Sequence, residues 1–170
     1  MLFRSDTHKA SGPAFASLLD AVGRIEGTRL IVKPHPAEPA EAYDPDIAAS
    51  GLGDRARVIA DRSLTDLLPA ADLLVTVESL SATEALVASV PVVVLRHPSN
   101  LRDLVASGAA FGVPEGVDPQ PSMEALLRNA EVRANWRRSR DAFLQDVAHG
   151  VDGKALDRLL QLLSKMAGLN

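Results

Sequence analysis

The stretch DLLVTVESLSATEALVASVPVVVL, residues 72–95, contains two unbroken apolar runs, at 73–75 and 92–95. Strands with one face in water alternate apolar and polar residues, whereas unbroken apolar runs are typical of strands covered on both faces, as in a parallel sheet. Strands that alternate with helices indicate the same architecture. The stretch therefore predicts a strand over 72–77, a helix over 81–89 and a strand over 90–95.

The segments on either side continue this alternation. Apolar residues from Phe15 to Ile25 recur at helical spacing and predict an amphipathic helix, with Ser11 as its cap and Pro13 in its first turn. The other predicted segments are a strand at 28–33, a proline-rich loop through Pro45, a strand at 56–60, a short helix at 63–71, a helix at 101–108 ended by Gly108, and a strand at 109–113. We therefore expect an α/β fold with a Rossmann-like, doubly wound parallel sheet.

The C-terminal third begins with VPEGVDPQP, residues 113–121, which has the composition of a linker. Helical patterns over 122–147 and 154–167 follow it. A chain of 170 residues is long enough for one domain with its own core and short for two. We expect a single Rossmann-like domain over 1–170, with its core at 11–113 and C-terminal helices over 122–167.

Composition excludes several classes of function. The formal charge of -4, from 18 basic and 22 acidic residues, gives no electrostatic reason to expect a nucleic-acid partner or a membrane surface. The absence of cysteine excludes disulfides, thiol nucleophiles and thiolate-bound zinc. The four histidines lie too far apart for a local metal motif, so we expect neither a metal nor a cofactor.

No apolar run approaches the roughly 18 residues that a membrane span requires, and the first residues lack the apolar segment of a signal peptide. We therefore expect a cytoplasmic protein without an integral membrane segment.

Polar residues follow three of the predicted strands. In open parallel sheets, ligands bind outside the carboxyl ends of the strands, so these residues are expected to share one edge and to form one site. They are Lys33 and His35 after the first strand, Glu78 and Ser79 after the second, and Arg96, His97, Ser99 and Asn100 after the third.

His35 lies between two prolines in the segment LIVKPHP, residues 30–36. Each proline fixes its own φ and restricts the residue before it, so the imidazole has little backbone freedom to lose on binding a ligand. A histidine can also transfer a proton near neutral pH, to a phosphate or a leaving oxygen. A stiff loop with a solvated histidine is the alternative interpretation.

The segment SATE, residues 81–84, permits two interpretations. Serine followed three residues later by glutamate is the pattern of a capping box, in which Ser81 and Glu84 satisfy backbone donors and contact no ligand. A helix start directly after a parallel strand is also an anion site, to which the hydroxyl groups of Ser79 and Ser81 would contribute donors.

Other patterns are weaker. Asp44-Pro45-Asp46 has the DxD form of some metal sites, but it lies in a proline-rich loop without an evident third ligand. The chain has neither the G-x-G-x-x-G nor the Walker A pattern. Five arginines between 128 and 140 could face an anionic acceptor, although such a run is more often a solvated helix face.

Together, VKPHP at 32–36 and the motifs of 76–95 resemble the C-terminal, nucleotide-sugar-binding domain of GT-B-fold glycosyltransferases. The most similar groups are capsule polysaccharide synthesis proteins and bacterial sialyltransferases. Their shared motifs correspond to His35-Pro36, to Ser79 with Ser81, to Glu84-Ala85-Leu86 and to PVVV at 91–94. The segment DGKALDRLL, 152–160, is similar to the closing helix of the wider group, which includes UDP-N-acetylglucosamine 2-epimerases.

The resemblance implies a role for each matching residue. His35 would be the catalytic residue, contacting the donor phosphate and assisting departure of the nucleotide. Ser79 and Ser81 would bind the phosphate, Glu84 would bind the ribose hydroxyls, and Lys33 or Arg96 would offset the charge of Glu78. Glu78 is itself a departure from the family pattern, as is Val90, where a glycine often precedes PV.

The implied substrate is a UDP- or CMP-linked sugar, used in surface or capsule polysaccharide biosynthesis. The glycan or glycolipid acceptor would bind through an N-terminal domain that the chain lacks, so we expect half of an active site and an inactive isolated chain. Two alternatives stay open: a UDP-N-acetylglucosamine 2-epimerase-like domain, and a non-catalytic Rossmann-like interaction module that uses its arginine-rich helix.

Overall fold

The computed structural model describes residues 1–4 and 8–168. Its strands are β1 (Leu2–Arg4), β2 (Leu30–Lys33), β3 (Ala56–Val58), β4 (Leu74–Thr76), β5 (Val92–His97) and β6 (Phe111–Pro114). They form one sheet in the order β3-β2-β1-β4-β5-β6, and every neighbouring pair is parallel. The predicted Rossmann-like doubly wound sheet is confirmed.

Helices connect these strands and extend beyond the last one. They are α1 (His8–Arg24), α2 (Asp44–Ala49), α3 (Leu64–Leu67), α4 (Ser81–Val87), α5 (Arg102–Ala106), α6 (Gln120–Arg128), α7 (Ala130–Ala148) and α8 (Ala155–Met166). No helix within the described ranges is long and apolar enough to cross a membrane.

The central strand β1 has no counterpart among the predicted segments. It is three residues long, too short for any periodicity to be detected, yet it pairs with both β2 and β4. Phe3 is fully buried, and its ring lies 5.1 Å from that of Phe15 on α1. The strand that joins the two halves of the sheet is therefore the one whose sequence gives the weakest indication of a strand.

Helix α1 begins earlier than its apolar face does. The apolar pattern starts at Phe15, but the backbone is already helical at His8, so the prediction that Ser11 caps this helix is wrong. Pro13 consequently lies inside the helix, where its ring removes one backbone donor. Similarly, the predicted loop after β2 contains a 3-10 turn and α2, with Pro45 in the first turn of that helix.

The predicted helix over 122–147 is two helices, α6 and α7, that meet at Asn129. The Asn129 backbone is extended, and its side-chain oxygen accepts hydrogen bonds from the N–H groups of Glu131 (3.0 Å) and Val132 (3.1 Å). Asparagine is a favoured helix cap for this reason.

Helices α6 and α7 belong to the same core as the sheet. Met123 and Leu126 are fully buried, and the Trp136 indole donates to the carbonyl of Ala109 at 2.9 Å.

In the segment before α6, Asp118 accepts two hydrogen bonds from Arg24, at 2.9 Å each. The segment predicted as a linker is therefore fixed against α1. Helix α8 contributes no residue to the core.

Candidate functional site

The carboxyl ends of β2, β1, β4 and β5 lie next to one another along one edge of the sheet. In the strand register, Arg4 is opposite both Lys33 and Thr76, and Thr76 is opposite Val94. Adjacent strands lie about 4.8 Å apart, so the ends of β2 and β4 are separated by roughly 10 Å, with Arg4 between them. The residues predicted to converge do follow neighbouring strands.

His35 follows β2 in a turn and is half-buried. Its Nδ1 accepts a hydrogen bond from the N–H of Ala37 at 3.1 Å, and its carbonyl accepts one from the N–H of Glu38 at 2.9 Å. An accepting Nδ1 leaves the proton of the neutral imidazole on Nε2. The ring can therefore offer an Nε2–H donor to a ligand.

Two side chains hold this turn in place. The Arg4 guanidinium donates to the carbonyl groups of Pro34 and, at 3.3 Å, of Lys33. The buried Tyr43 hydroxyl donates to Glu38 at 2.8 Å, and burial followed by this hydrogen bond raises the pKa of Tyr43. The turn that carries His35 is thus anchored to β1 on one side and to the core on the other.

Lys33 is directed to a different neighbour. Its Nζ donates to the carbonyl of Ala60 at 2.9 Å, beyond the end of β3, and the residue is only 9% exposed. Burial and, second, the positive charge of Arg4 lower the pKa of Lys33. The ammonium predicted to face a phosphate is bonded to a protein carbonyl and joins the ends of β2 and β3.

After β4, a group of buried hydroxyl groups shapes the backbone. Thr76 donates to the carbonyl of Arg4 at 2.6 Å and accepts from the N–H of Ser79 at 3.4 Å. Ser79 Oγ donates to Ser81 Oγ at 2.9 Å and accepts from the N–H of Ser81 at 3.3 Å. The two serines predicted to act together therefore do contact each other.

The capping box predicted for Ser81 and Glu84 does not form. Leu80 occupies the capping position without a side-chain hydrogen bond, and Ser81 is already the first residue of α4. Glu84 is exposed on the same helix, three residues after Ser81, and so lies on the same face.

After β5, Arg96 has a left-handed backbone with a φ of 56°, and the register with β6 shifts between Leu95 and His97. A bulge of this kind turns a side chain out of the regular alternation of a strand. The Arg96 Nε lies 3.8 Å from a carboxylate oxygen of Glu115. Asn100 donates to the carbonyl of Glu78 at 3.0 Å and so ties the β5 exit to the β4 exit. The side chain of His97 lies outside the described residues.

A cavity of about 580 Å³ lies beside this edge, between α1 and the end of β6. Arg96 lines it, but Asp20, Arg24 and Asp118, which also line it, are already hydrogen-bonded to one another. The Arg24 guanidinium holds the pKa of Asp118 below its usual range. His35 is not among the residues that line this cavity; its Nε2–H, which has no hydrogen-bond partner within residues 1–4 and 8–168, lies at the ends of the strands.

The arginine run of α6 and α7 does not form one basic face. Arg140 donates to the carbonyl groups of Leu86 (2.6 Å) and Val87 (3.4 Å) at the end of α4, and Arg128 pairs with Glu124 at 3.0 Å. Arg137 and Arg138 are exposed. Two of the five arginines, Arg128 and Arg140, thus have structural contacts.

The DxD pattern does not form a metal site. Asp44 and Asp46 lie in the first turn of α2, and no group of three metal-ligating side chains comes together within the described part of the chain.

No family model matches the chain, and no curated protein matches it by sequence. Solved structures do match it. A Listeria monocytogenes protein assigned as a UDP-N-acetylglucosamine 2-epimerase superposes with a TM-score of 0.74 at 21% identity, over 99% of this chain and 45% of that one. S. aureus MnaA, solved with UDP, gives 0.73 at 18% identity, over 99% and 46%. WaaG, a glycosyltransferase of lipopolysaccharide biosynthesis, gives 0.65 at 15% identity, over 86% and 42%.

What these proteins share with the chain is the fold. At these identities the likeness establishes the Rossmann-like α/β fold alone, which the strand order of the sheet also shows. The chain spans less than half of the length of each of the three.

Two residues at this edge were missed by sequence reasoning. Arg4, in β1, and Thr76, at the end of β4, are not among the residues predicted for the site. The available signal was the run MLFR, residues 1–4, in which a cation follows apolar residues.

Proposed function

We propose that the chain is the donor-binding half of a glycosyltransferase that builds surface or capsule polysaccharide from a nucleotide-linked sugar. One observation carries the proposal: the His35 turn, Arg4 and the Ser79–Ser81 pair follow three adjacent parallel strands at one edge of the sheet. Ligands of such sheets bind at this edge. The match to a structure solved with UDP and the match to a glycosyltransferase support it.

The diphosphate of the donor is proposed to lie across the end of β1. His35 would donate its Nε2–H to a phosphate oxygen, and the segment 79–81 would supply hydroxyl and backbone donors from the opposite side. Arg4 and Arg96 are the cations that offset both the phosphate charge and the exposed carboxylate of Glu78. Glu84, one turn into α4, is proposed to accept hydrogen bonds from the ribose hydroxyls.

Stabilisation of the departing nucleotide is the contribution that this half would make to the reaction. As the bond between the sugar and the phosphate breaks, negative charge develops on the phosphate oxygen, and a hydrogen-bond donor or cation there stabilises the transition state. His35, through its Nε2–H, is proposed as that donor. The acceptor and the base that deprotonates it are proposed to come from a second domain, because the chain spans only part of the proteins it resembles.

Isothermal titration of the chain with UDP and with CMP tests the proposal. We expect saturable binding of one of them, and we expect His35→Asn to weaken it roughly 10- to 100-fold, since a hydrogen bond to a charged group is worth about 1.5–3 kcal/mol. Asparagine can still accept the Ala37 bond, so the shape of the turn is retained.

The matched control is His149→Asn. His149 is exposed at the end of α7 and has a φ of 51°, which asparagine tolerates. Its replacement should leave nucleotide binding unchanged. Absence of saturable binding of either nucleotide, or equal loss in both variants, would contradict the proposal.

A UDP-N-acetylglucosamine 2-epimerase-like domain is the second candidate, favoured by the Listeria and S. aureus matches. Binding of CMP in preference to UDP would exclude the epimerase, whereas binding of UDP is compatible with both candidates, so the reaction products must then separate them. When a partner domain is supplied, an epimerase should convert UDP-N-acetylglucosamine into its C2 epimer with the UDP still attached. Transfer of the intact sugar to an acceptor would favour the transferase.

A further inference from the structure

A cavity of about 490 Å³ lies at the edge of the sheet opposite the candidate nucleotide site. Its lining includes residues that precede strands rather than follow them: Met1 before β1, Arg29 before β2 and Asp72 before β4. These strands are three or four residues long, so at about 3.3 Å per residue the two edges lie roughly 10–13 Å apart. The cavity is therefore separate from the site at the carboxyl ends of the strands.

Arg133, near the start of α7, lines this cavity without a partner of its own. The residue is half-buried and its Nε is buried, and within residues 1–4 and 8–168 its side chain makes neither a hydrogen bond nor an ion pair. Buried polar groups in native proteins are nearly always hydrogen-bonded, and an unpaired one calls for an explanation, of which a bound ion or water is one. Contacts within the described part of the chain do not explain why a guanidinium lies here.

Arg29 adds a second guanidinium to the same cavity. It is exposed, and the described contacts give its side chain neither a hydrogen bond nor an ion pair. Its carbonyl accepts from the Met1 amino group at 3.0 Å, which fixes its backbone. Arg128, in contrast, is engaged: it pairs with Glu124 at 3.0 Å and donates to the Glu26 carbonyl at 2.8 Å. Among the described residues, two cations without partners thus share one concave surface, in a chain whose acids outnumber its bases.

Two exposed acidic residues, Glu26 and Asp72, line the cavity as well, and neither forms an ion pair with these arginines. Carboxylates repel an anion, but they accept hydrogen bonds from hydroxyl groups. Thr28, also in the lining, provides a hydroxyl of its own. This set of side chains suits a molecule that has one anionic group and several hydroxyl groups.

We propose that this cavity is a second ligand site, which binds a small hydroxyl-bearing phosphate monoester such as a sugar phosphate. The phosphate accepts hydrogen bonds from Arg29 and Arg133, and the hydroxyl groups donate to Glu26 and Asp72. A phosphate monoester carries a charge of about -1.5 to -2 near neutral pH, which matches two guanidinium groups better than the single charge of a carboxylate does. The cavity volume of about 490 Å³ lies within the range of small-molecule sites, about 300–1,000 Å³.

Isothermal titration at low ionic strength with glucose 6-phosphate, inorganic phosphate and glucose provides the first test. Glucose 6-phosphate should bind saturably with a Kd of about 1 mM or below, inorganic phosphate more weakly, and glucose not measurably. Absence of saturable binding of glucose 6-phosphate and of phosphate at about 10 mM would overturn the proposal. Equal affinity for the two would overturn the assignment of Glu26 and Asp72 to the hydroxyl groups of the ligand.

The two arginines are tested by neutral replacements. Arg133→Gln and Arg29→Gln should each weaken binding of glucose 6-phosphate roughly 10- to 100-fold, because each removes a charge-assisted hydrogen bond. The matched control is Arg137→Gln, which removes the same charge from an exposed position one turn further along α7, outside the cavity. It should leave the affinity nearly unchanged. Equal losses in the Arg133 and Arg137 variants would show an effect of net charge alone and would overturn the site.

Two further titrations separate this site from neighbouring groups. Acetylation of the Met1 amino group, which also lines the cavity, should leave binding in place because the arginines carry it. Loss of binding on acetylation, with retention in Arg133→Gln, would assign the anion to the amino group instead. His35→Asn should leave binding of glucose 6-phosphate unchanged, and a loss there would place the sugar phosphate at the carboxyl ends of the strands. Binding of UDP is measured separately, so failure of one proposal is recognised independently of the other.

Thermal unfolding provides a readout on which a purely structural role would have the opposite effect. Arg133→Met retains much of the aliphatic stem and removes a guanidinium that has no partner in the described part of the chain. In phosphate-free buffer its melting temperature should equal or exceed that of the parent chain, because an unpaired buried donor is lost. With glucose 6-phosphate, only the parent chain should gain stability. A lower melting temperature for Arg133→Met in phosphate-free buffer would show that the guanidinium serves the fold, and would overturn its assignment to a ligand.

Discussion

Tyr43 shows how much a single buried hydroxyl contributes to the candidate site. It lies edge-on to Phe15, with ring centroids 5.3 Å apart, and donates to Glu38 in the turn that carries His35. Neither contact is visible in the sequence, where Tyr43 lies among prolines and acids. The turn was predicted from Pro34 and Pro36, whose effect on φ is local, whereas its anchoring depends on residues brought together by the fold.

Tyr43→Phe should destabilise the protein by about 0.5–1.5 kcal/mol at pH 7, the net value of one hydrogen bond. The pKa of Tyr43 is raised in the native state, so the native tyrosine keeps its proton when the unfolded one loses it near pH 10. The unfolded state is then favoured, and the stability difference between parent and variant should narrow as pH rises above about 10. Urea titrations of both proteins at several pH values measure this, and a difference that does not change with pH would contradict it.

At the scale of elements, prediction succeeded where a pattern extends over several residues. The apolar runs at 73–75 and 92–95 predicted buried parallel strands, and the predicted order of strand, helix and strand over 72–95 was correct. Prediction failed for β1, which has three residues, and at the start of α1, where the helix begins before its apolar face does. The capping box failed because Ser81 bonds to Ser79 instead of to its own helix.

Gly108, predicted to end a helix, provides a test at this scale. It has a φ of +75°, and a Cβ added there would lie 2.9 Å from Ser139 Oγ on α7. Gly108→Ala should therefore cost the roughly 1–2 kcal/mol of a left-handed alanine plus the repulsion of Ser139. Thermal or urea unfolding measures the loss.

Gly116→Ala is the matched control, since Gly116 has a φ of +76° with no atom within 4 Å of the added Cβ. It should show the conformational cost alone. Adding Ser139→Ala to the Gly108 variant should recover part of the difference, and equal losses at the two glycines would mean that the contact with Ser139 is relieved without cost.

At the scale of the whole molecule, residues 113–121 either separate the sheet from α6 and α7 as two folding units or belong to a single unit that contains both. The proline and glycine content of this segment predicts a linker. The hydrogen bond between Asp118 and Arg24, which lies on α1, depends on the fold and cannot be recognised from composition. The indole bond of Trp136 to Ala109 joins α7 to the start of β6 in the same way.

Unfolding should therefore be a single transition for the sheet and for α6 and α7. Trp136 is the one tryptophan in the sequence, so its fluorescence reports on the C-terminal layer, while far-ultraviolet circular dichroism reports on the whole chain. The two probes should give the same urea midpoint. Two separate midpoints would show that the helical layer unfolds independently of the sheet.

The backbone of Arg96 has a consequence for engineering the domain. A left-handed arginine costs roughly 1–2 kcal/mol relative to an ordinary conformation, so glycine or asparagine at position 96 would raise the melting temperature. A library screened for heat resistance alone should therefore enrich those replacements and discard the guanidinium beside the candidate phosphate site. Thermostabilised versions of this domain are best selected with nucleotide capture as a second criterion, because one accessible gain in stability lies at a position proposed to serve the ligand.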